Sequence, residues 1–188
     1  MPTAANKWIA LRPPTPADIP QLADAIRRST RLHRPWSHIE ASHEALTAWV
    51  ARSQSASFQA LLAQDRASGA PIAVFNLSQI IYGAFCNAYL GYYAMASHAG
   101  RGWTRAALPL VLDVAFRQLK LHRLEANIQP QNAASIALVS GAGFRLEGFS
   151  PRYLKIGGRW RDHARYAITA EEWAVRRRTH RPPTPKAV

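Results

Sequence analysis

From Leu90 to Phe116 the chain reads LGYYAMASHAGRGWTRAALPLVLDVAF: an apolar strand, a short glycine loop and the opening of a helix in direct succession. A strand feeding a helix through so few residues belongs to α/β architecture. The same order can build a phosphate cradle. Gly100 and Gly102 let the backbone come close to an anion, while the first N–H groups of the helix and its positive dipole end attract it. Such turns also occur in many α/β domains for purely steric reasons, and the loop has neither G-x-G-x-x-G nor G-x-x-x-x-G-K-[ST]. The segment suggests a phosphorylated ligand but supports neither a dinucleotide site nor a nucleotide-triphosphate loop.

On either side of this run the periodicities alternate between strand and helix. KWIALRP reads as a strand, and Thr15 with Pro16 opens a helix that runs to about Ser29. TRLHRPWSH reads as a loop before a second helix from about Ser42 to Arg52. SFQALLAQ, PIAVFNLSQI and NAYLGYYAM read as an antiparallel meander that feeds the glycine loop, with RASGA as its first turn. The helix after the loop carries Ala106, Leu110 and Val114 on one face. Pro109 lies inside it and predicts a kink or a delayed start, because a mid-helix proline costs about 3 kcal/mol. HRLEANIQ is a strand, Asn132 caps a helix ending near Gly141 and Gly143, and FRLEGFSPRYLKI with RWRDHARYAIT forms a hairpin around Gly157-Gly158. Thr169 and Glu172 have capping-box spacing for a last short helix. The fold expected is an α/β sandwich: a mixed, mostly antiparallel sheet flanked by helices.

A chain of 188 residues is most economically one domain, here residues 1–175, with 176–188 as a basic, disordered tail. Apolar runs break well before the ~20 residues of a membrane span. MPTAANKW has no signal-peptide apolar region, so a cytoplasmic protein without membrane contact is expected. Cys86 is the only cysteine, which excludes an internal disulfide, and it reads as a small buried apolar residue. The histidines show no ligand spacing, so no metal is expected. The net charge of +13 favours polyanions, RNA and the ribosome surface among them, and equally fits a solvated surface in an Arg-rich proteome.

AGRGWTRAAL, LHRLEANIQPQNAASIALVSGAGFRLEG and YLKIGGRWRDHARYAITAEEW resemble the acetyl-CoA-binding and C-terminal blocks of GNAT acyltransferases. The likeness is closest to the ribosomal-protein-alanine N-acetyltransferase (RimJ/RimL-like) branch and covers about residues 8–173. It implies a GNAT-type sheet with a splayed acetyl-CoA slot. It also implies that Tyr93, Ala94 and Met95 pair their backbone with the pantetheine arm, while the amides of Gly100, Arg101, Gly102, Trp103 and Thr104 hold the pyrophosphate. Ala99 and Thr104 depart from the family's Q/R-x-x-G-x-G/A pattern, which implies altered acetyl-CoA affinity. Asn132 and Ser135 match the NxxS element of the branch: Asn132 would face the cofactor as well as cap its helix, and Ser135 would return a proton to the leaving thiolate. Trp36 and Tyr153 would shape the acceptor pocket, although either aromatic could be core instead.

Transfer to an amine needs a proton acceptor and backbone amides for the oxyanion. Glu40, His33 and His38 lie beside the expected cleft, but Ser37 stands after Pro35-Trp36 where an acidic residue often follows, so the base stays open. Asp162 reads as a structural residue that orients Arg161 or a backbone amide. The resemblance thus implies an acetyl-CoA-dependent N-acetyltransferase acting on the N-terminal alanine of a ribosomal protein, with a ribosomal protein or the ribosome as partner and RNA contact through the basic surface and tail. Two alternatives remain: acetylation of a small-molecule amine, and a noncatalytic ribosome- or RNA-binding factor on the same scaffold.

Overall fold

The computed structural model describes residues 3–53, 55–179 and 184–186. Its centre is one eight-stranded sheet in the order β1-β2-β3-β4-β5-β6-β8-β7. The strands are β1 (Ala4–Ala5), β2 (Ile9–Arg12), β3 (Phe58–Asp65), β4 (Pro71–Ile81), β5 (Asn87–Ala94), β6 (Arg123–Ile128), β7 (Arg145–Ile156) and β8 (Arg159–Thr169). All neighbours run antiparallel except β5 and β6. The expected meander is β3-β4-β5, and the expected hairpin turns through Gly157 and Gly158 at φ 56° and 78°, the left-handed pair a tight hairpin requires.

Alternation along the strands divides the core between two faces. Leu61, Ala63, Phe75 and Leu77 point to one side, where α4 (Trp103–Asp113), α5 (Ala133–Ala142) and α6 (Ala170–Thr179) follow the sheet. Leu62 and Val74 point to the other, against Leu22, Ile26, Leu46 and Val50. Those four come from α1 (Ile19–Arg28) and α3 (His43–Arg52). Ser42 caps α3 by accepting the Ala45 N–H at 3.2 Å. Thr169 and Glu172 form the expected capping box: the Thr169 N–H donates to Glu172 Oε2 at 2.8 Å, and the Glu172 N–H to Thr169 Oγ1 at 3.4 Å.

Four expectations are corrected. The segment expected as a loop after Ser29 contains a helical turn, α2 (Thr30–His33). Tertiary contacts hold it, since Ser29 Oγ donates to the Ala25 carbonyl at 2.6 Å and accepts the Ala96 N–H at 2.8 Å. Of the two outcomes expected for the helix containing Pro109, the delayed start does not occur: the helix begins directly after Gly102 and ends in a wider turn over Val114–Gln118. The fully buried side chains Ala107, Leu108, Val111 and Leu112 bind it to the sheet strongly enough to offset the proline. Cys86 is only half-buried, in the β4–β5 turn with φ 41°, and its Sγ donates to the Lys120 carbonyl at 3.3 Å.

The fourth correction concerns the tail. Residues 176–179 are the last turn of α6, where Arg176 donates to the Gly141 carbonyl and Arg177 pairs with Asp113 at 3.1 Å. Further on, Lys186 returns to the glycine loop: its N–H donates to the Arg101 carbonyl at 3.0 Å, and its carbonyl accepts the Trp103 indole N–H at 2.8 Å. The other tail residues, 180–183 and 187–188, lie outside the described residues.

Candidate active site

Strands β5 and β6 pair only from Asn87↔Arg123 to Tyr89↔Glu125. Beyond that point β5 stays tied to β4 as far as Ala94↔Ala73, and β6 stays tied to β8 as far as Ile128↔Ala164. Each strand is thus held from its outer edge while the inner edges part. The expected splay is present, and two cavities open beside it.

The first cavity, of about 400 Å³, reaches from Tyr93 and Ala94 to Gly100, Gly102, Trp103 and Thr104. Gly100 and Gly102 have φ of 72° and 82°, and a Cβ at either would meet no atom within 4 Å. The loop therefore presents bare backbone to open space. Gly102 caps α4, whose first-turn N–H groups lack intrahelical carbonyls, so the cradle suits an anionic group. The second cavity, of about 460 Å³, lies between residues 36–40 and the ends of β6 to β8. The two share Trp36, Ser37, Tyr92, Tyr93, Asn132 and Ser135 as a common wall. A larger cavity, of about 770 Å³ against α4, α5 and α6, does not touch that wall.

Several candidate residues meet at this wall. Asn132 Oδ1 accepts the Ser135 N–H at 3.1 Å and so caps α5 as expected. The Ser135 carbonyl accepts the Tyr92 hydroxyl at 3.3 Å, and the Ser135 side chain also hydrogen-bonds with the Tyr92 phenol. Trp36 is fixed through its carbonyl, which accepts from Gln129 Nε2 at 3.0 Å. Burial pushes the Tyr92 phenol up to about 12 and raises Tyr93 as well, so both remain protonated donors.

Three candidates are placed differently. The Met95 side chain is fully buried and its N–H donates to the Ile72 carbonyl at 2.8 Å, so neither group faces the cavity. Arg101 is exposed and outside the cavity lining. Tyr153 stands behind the acceptor cavity, its ring 5.8 Å from that of His163 and its hydroxyl bonded to Tyr89, while Leu154, Ile156 and His163 form the wall. A bulge between Ser150 and Leu154 produces this shift. Arg152 takes φ 48° in it, and Asp162 accepts the Arg152 N–H at 2.7 Å, the structural task read from the sequence.

Of the candidate bases, His33 takes a structural place instead, and sequence reasoning missed His98 and Gln129. His33 is buried and donates from Nε2 to the Ala94 carbonyl at 2.8 Å, fixing the strand end that borders the first cavity. His98 is buried edge-on to Trp103 with ring centroids 5.0 Å apart, and burial lowers its pKa, so it stays neutral under the glycine loop. Gln129 follows the HRLEANI strand and has no motif to mark it. Its role depends on the loop carrying Trp36, which is distant in sequence.

A family model described as Acetyltransferase (GNAT) domain matches residues 9–145, across the glycine loop, the splayed strands and the NxxS helix. The chain belongs to the GNAT acetyltransferase family. As a member, it is an acyltransferase that takes its acetyl group from acetyl-CoA. The [Ribosomal protein uS5]-alanine N-acetyltransferase of Escherichia coli is 32% identical over 163 residues, 81% of this chain and 83% of the relative. Probable N-acetyltransferase YjcK of Bacillus subtilis is 43% identical over 97 residues, so the match spans only about half of that relative (54%). The structure of Mycobacterium smegmatis RimJ in complex with CoA-disulfide superposes with a TM-score of 0.80 at 28% identity, covering 87% of this chain and 83% of that one. Spermidine N-acetyltransferase from Vibrio cholerae, in complex with CoA and spermine, shares the fold with a TM-score of 0.77 at 20% identity over 90% and 99% of the two chains. Among the described residues no helix of this acetyltransferase is long and apolar enough to cross a membrane, and no three His, Cys, Asp or Glu side chains gather as a metal site.

Proposed function

We propose that this acetyltransferase acts in the cytoplasm on the N-terminal alanine of a ribosomal protein. The observation that carries the reading is its 32% identity to the Escherichia coli uS5-alanine enzyme over 81% of the chain. The acceptor cavity supports it. Glu40 is the only carboxylate among the lining residues, enough for a single α-ammonium group but few for a polycation such as spermine. The half-buried aromatic Trp36 and the apolar Ile39, Leu154 and Ile156 leave room for a small side chain and a following peptide.

In this reading, the backbone around Gly100 to Thr104 binds the pyrophosphate, Tyr93 and Ala94 border the pantetheine arm, and Asn132 faces the cofactor while holding the start of α5. When bound, acetyl-CoA supplies the acetyl group as a thioester. Ser135 Oγ, beside the Tyr92 phenol at the wall common to both cavities, delivers a proton to the leaving sulfur. Holding the two reactants on either side of one wall supplies much of the rate through proximity.

The test is thiol release from acetyl-CoA with a panel of ribosomal N-terminal peptides and small amines, followed by mass localisation of the added acetyl group. Selective acetylation of an Ala-starting peptide is expected. Preference for a small amine would replace the ribosomal reading.

A further inference from the structure

An α-ammonium group must lose a proton before its nitrogen can attack, so the acceptor cavity needs a proton acceptor that the substrate can touch. Tyr92 and Tyr93 hold their protons through burial. His33 carries its proton on Nε2 toward the Ala94 carbonyl, and its Nδ1 is buried without a partner, sealed from the cavity. Glu40 and His38 are exposed on the loop, and Glu40 already accepts the Ser42 hydroxyl at 2.9 Å.

His163 is different. It sits on β8, only 2% exposed, with its ring packed against Tyr153, and it lines the acceptor cavity. Its Nδ1 is 3.0 Å from the Arg161 carbonyl. A carbonyl can only accept, so Nδ1 carries the hydrogen and Nε2 the lone pair. Nε2 has no protein partner and is not among the buried orphan atoms, which leaves it open to the cavity.

We infer that His163 is the general base of this enzyme and takes the acceptor's ammonium proton at Nε2. The inference rests on acetyl transfer to an amine and not on which amine is used. Of the ammonium's three protons, one passes to Nε2 and on to water, one leaves with the sulfur by way of Ser135, and one stays on the amide nitrogen. The nitrogen's freed electron pair forms the new C–N bond, and the C–S pair departs on sulfur. The Arg161 carbonyl keeps its bond to Nδ1–H throughout and stabilises the transient imidazolium.

The test compares wild type with His163→Gln and His163→Ala on the Ala-starting peptide and on a series of primary amines of falling basicity, ending in trifluoroethylamine, which is already neutral at the assay pH. The expected result is a loss of about 10²- to 10⁴-fold in kcat on basic acceptors with acceptor KM little changed, the range a positioned base supplies. The loss should shrink toward trifluoroethylamine, and imidazole should restore part of it to His163→Ala. Independently of turnover, nitrogen-15 NMR of the wild-type ring should show hydrogen on Nδ1 and a bare Nε2. Equal losses on every amine, no imidazole rescue, or a hydrogen on Nε2 would overturn the assignment. If wild type acetylates another amine but not the Ala-starting peptide, the ribosomal reading falls while His163 is judged on that amine.

Discussion

Gly102 stands at φ 82° at the head of α4, where an alanine strains the backbone although its Cβ would touch nothing within 4 Å. Gly102→Ala should therefore cost about 1–2 kcal/mol of stability and, by placing a methyl in the anion cradle, raise the KM for acetyl-CoA about tenfold. Melting temperature and steady-state kinetics read the two effects separately. Ser135 tests the opposite separation. Its side chain bonds to the Tyr92 phenol, so Ser135→Ala should lower the melting temperature by no more than about 4 °C, while kcat falls about 10²-fold, as loss of a proton donor would require. The Gly100–Gly102 turn and the Asn132 cap were legible because a tight loop or a cap is written in neighbouring residues, whereas Ser135 was singled out through the NxxS resemblance. His163 was not, although it stands in the WRDH element, because only the pairing of β8 with β6 and the bulge in β7 show which cavity it lines.

The anchoring of α1 shows how an element is fixed. Burial alone would raise the Asp18 carboxyl, but the Arg12 guanidinium at 2.6 Å, together with the Thr15 N–H and hydroxyl, holds it below its ordinary value of 3.8. A carboxyl lowered in the folded state stabilises that state above its unfolded value, and the contribution disappears as pH falls through the folded value. Asp18→Asn should accordingly cost about 1–3 kcal/mol at pH 7. In urea unfolding the difference between variant and wild type should persist at pH 5 and close below pH 3.8. The strands and main helices were legible because alternation, caps and the Gly157-Gly158 turn are local signals. The turn α2 and the undelayed start of the helix through Pro109 were not, since long-range contacts outweigh local preference at both places.

For the molecule as a whole, we propose residues 1–179 as the folded unit, four residues longer at its end than the sequence suggested. Among the described residues the sheet and α6 end by Thr179, and Lys186 makes the two hydrogen bonds described, to Arg101 and Trp103. Truncation after Thr179 should move the melting temperature by no more than about 2 °C and leave acetyl transfer to a small acceptor intact. Calorimetry and thiol release would check it. The sequence by itself determined the order of elements, the mixed sheet, the glycine cradle and the capped NxxS helix, because each depends on residues a few positions apart. Tertiary structure alone decided where β5 and β6 part, which side chains form the wall common to both cavities, and which histidine is left with an open nitrogen. Those outcomes depend on strand register and on contacts between segments tens of residues apart, and local spacing does not encode them.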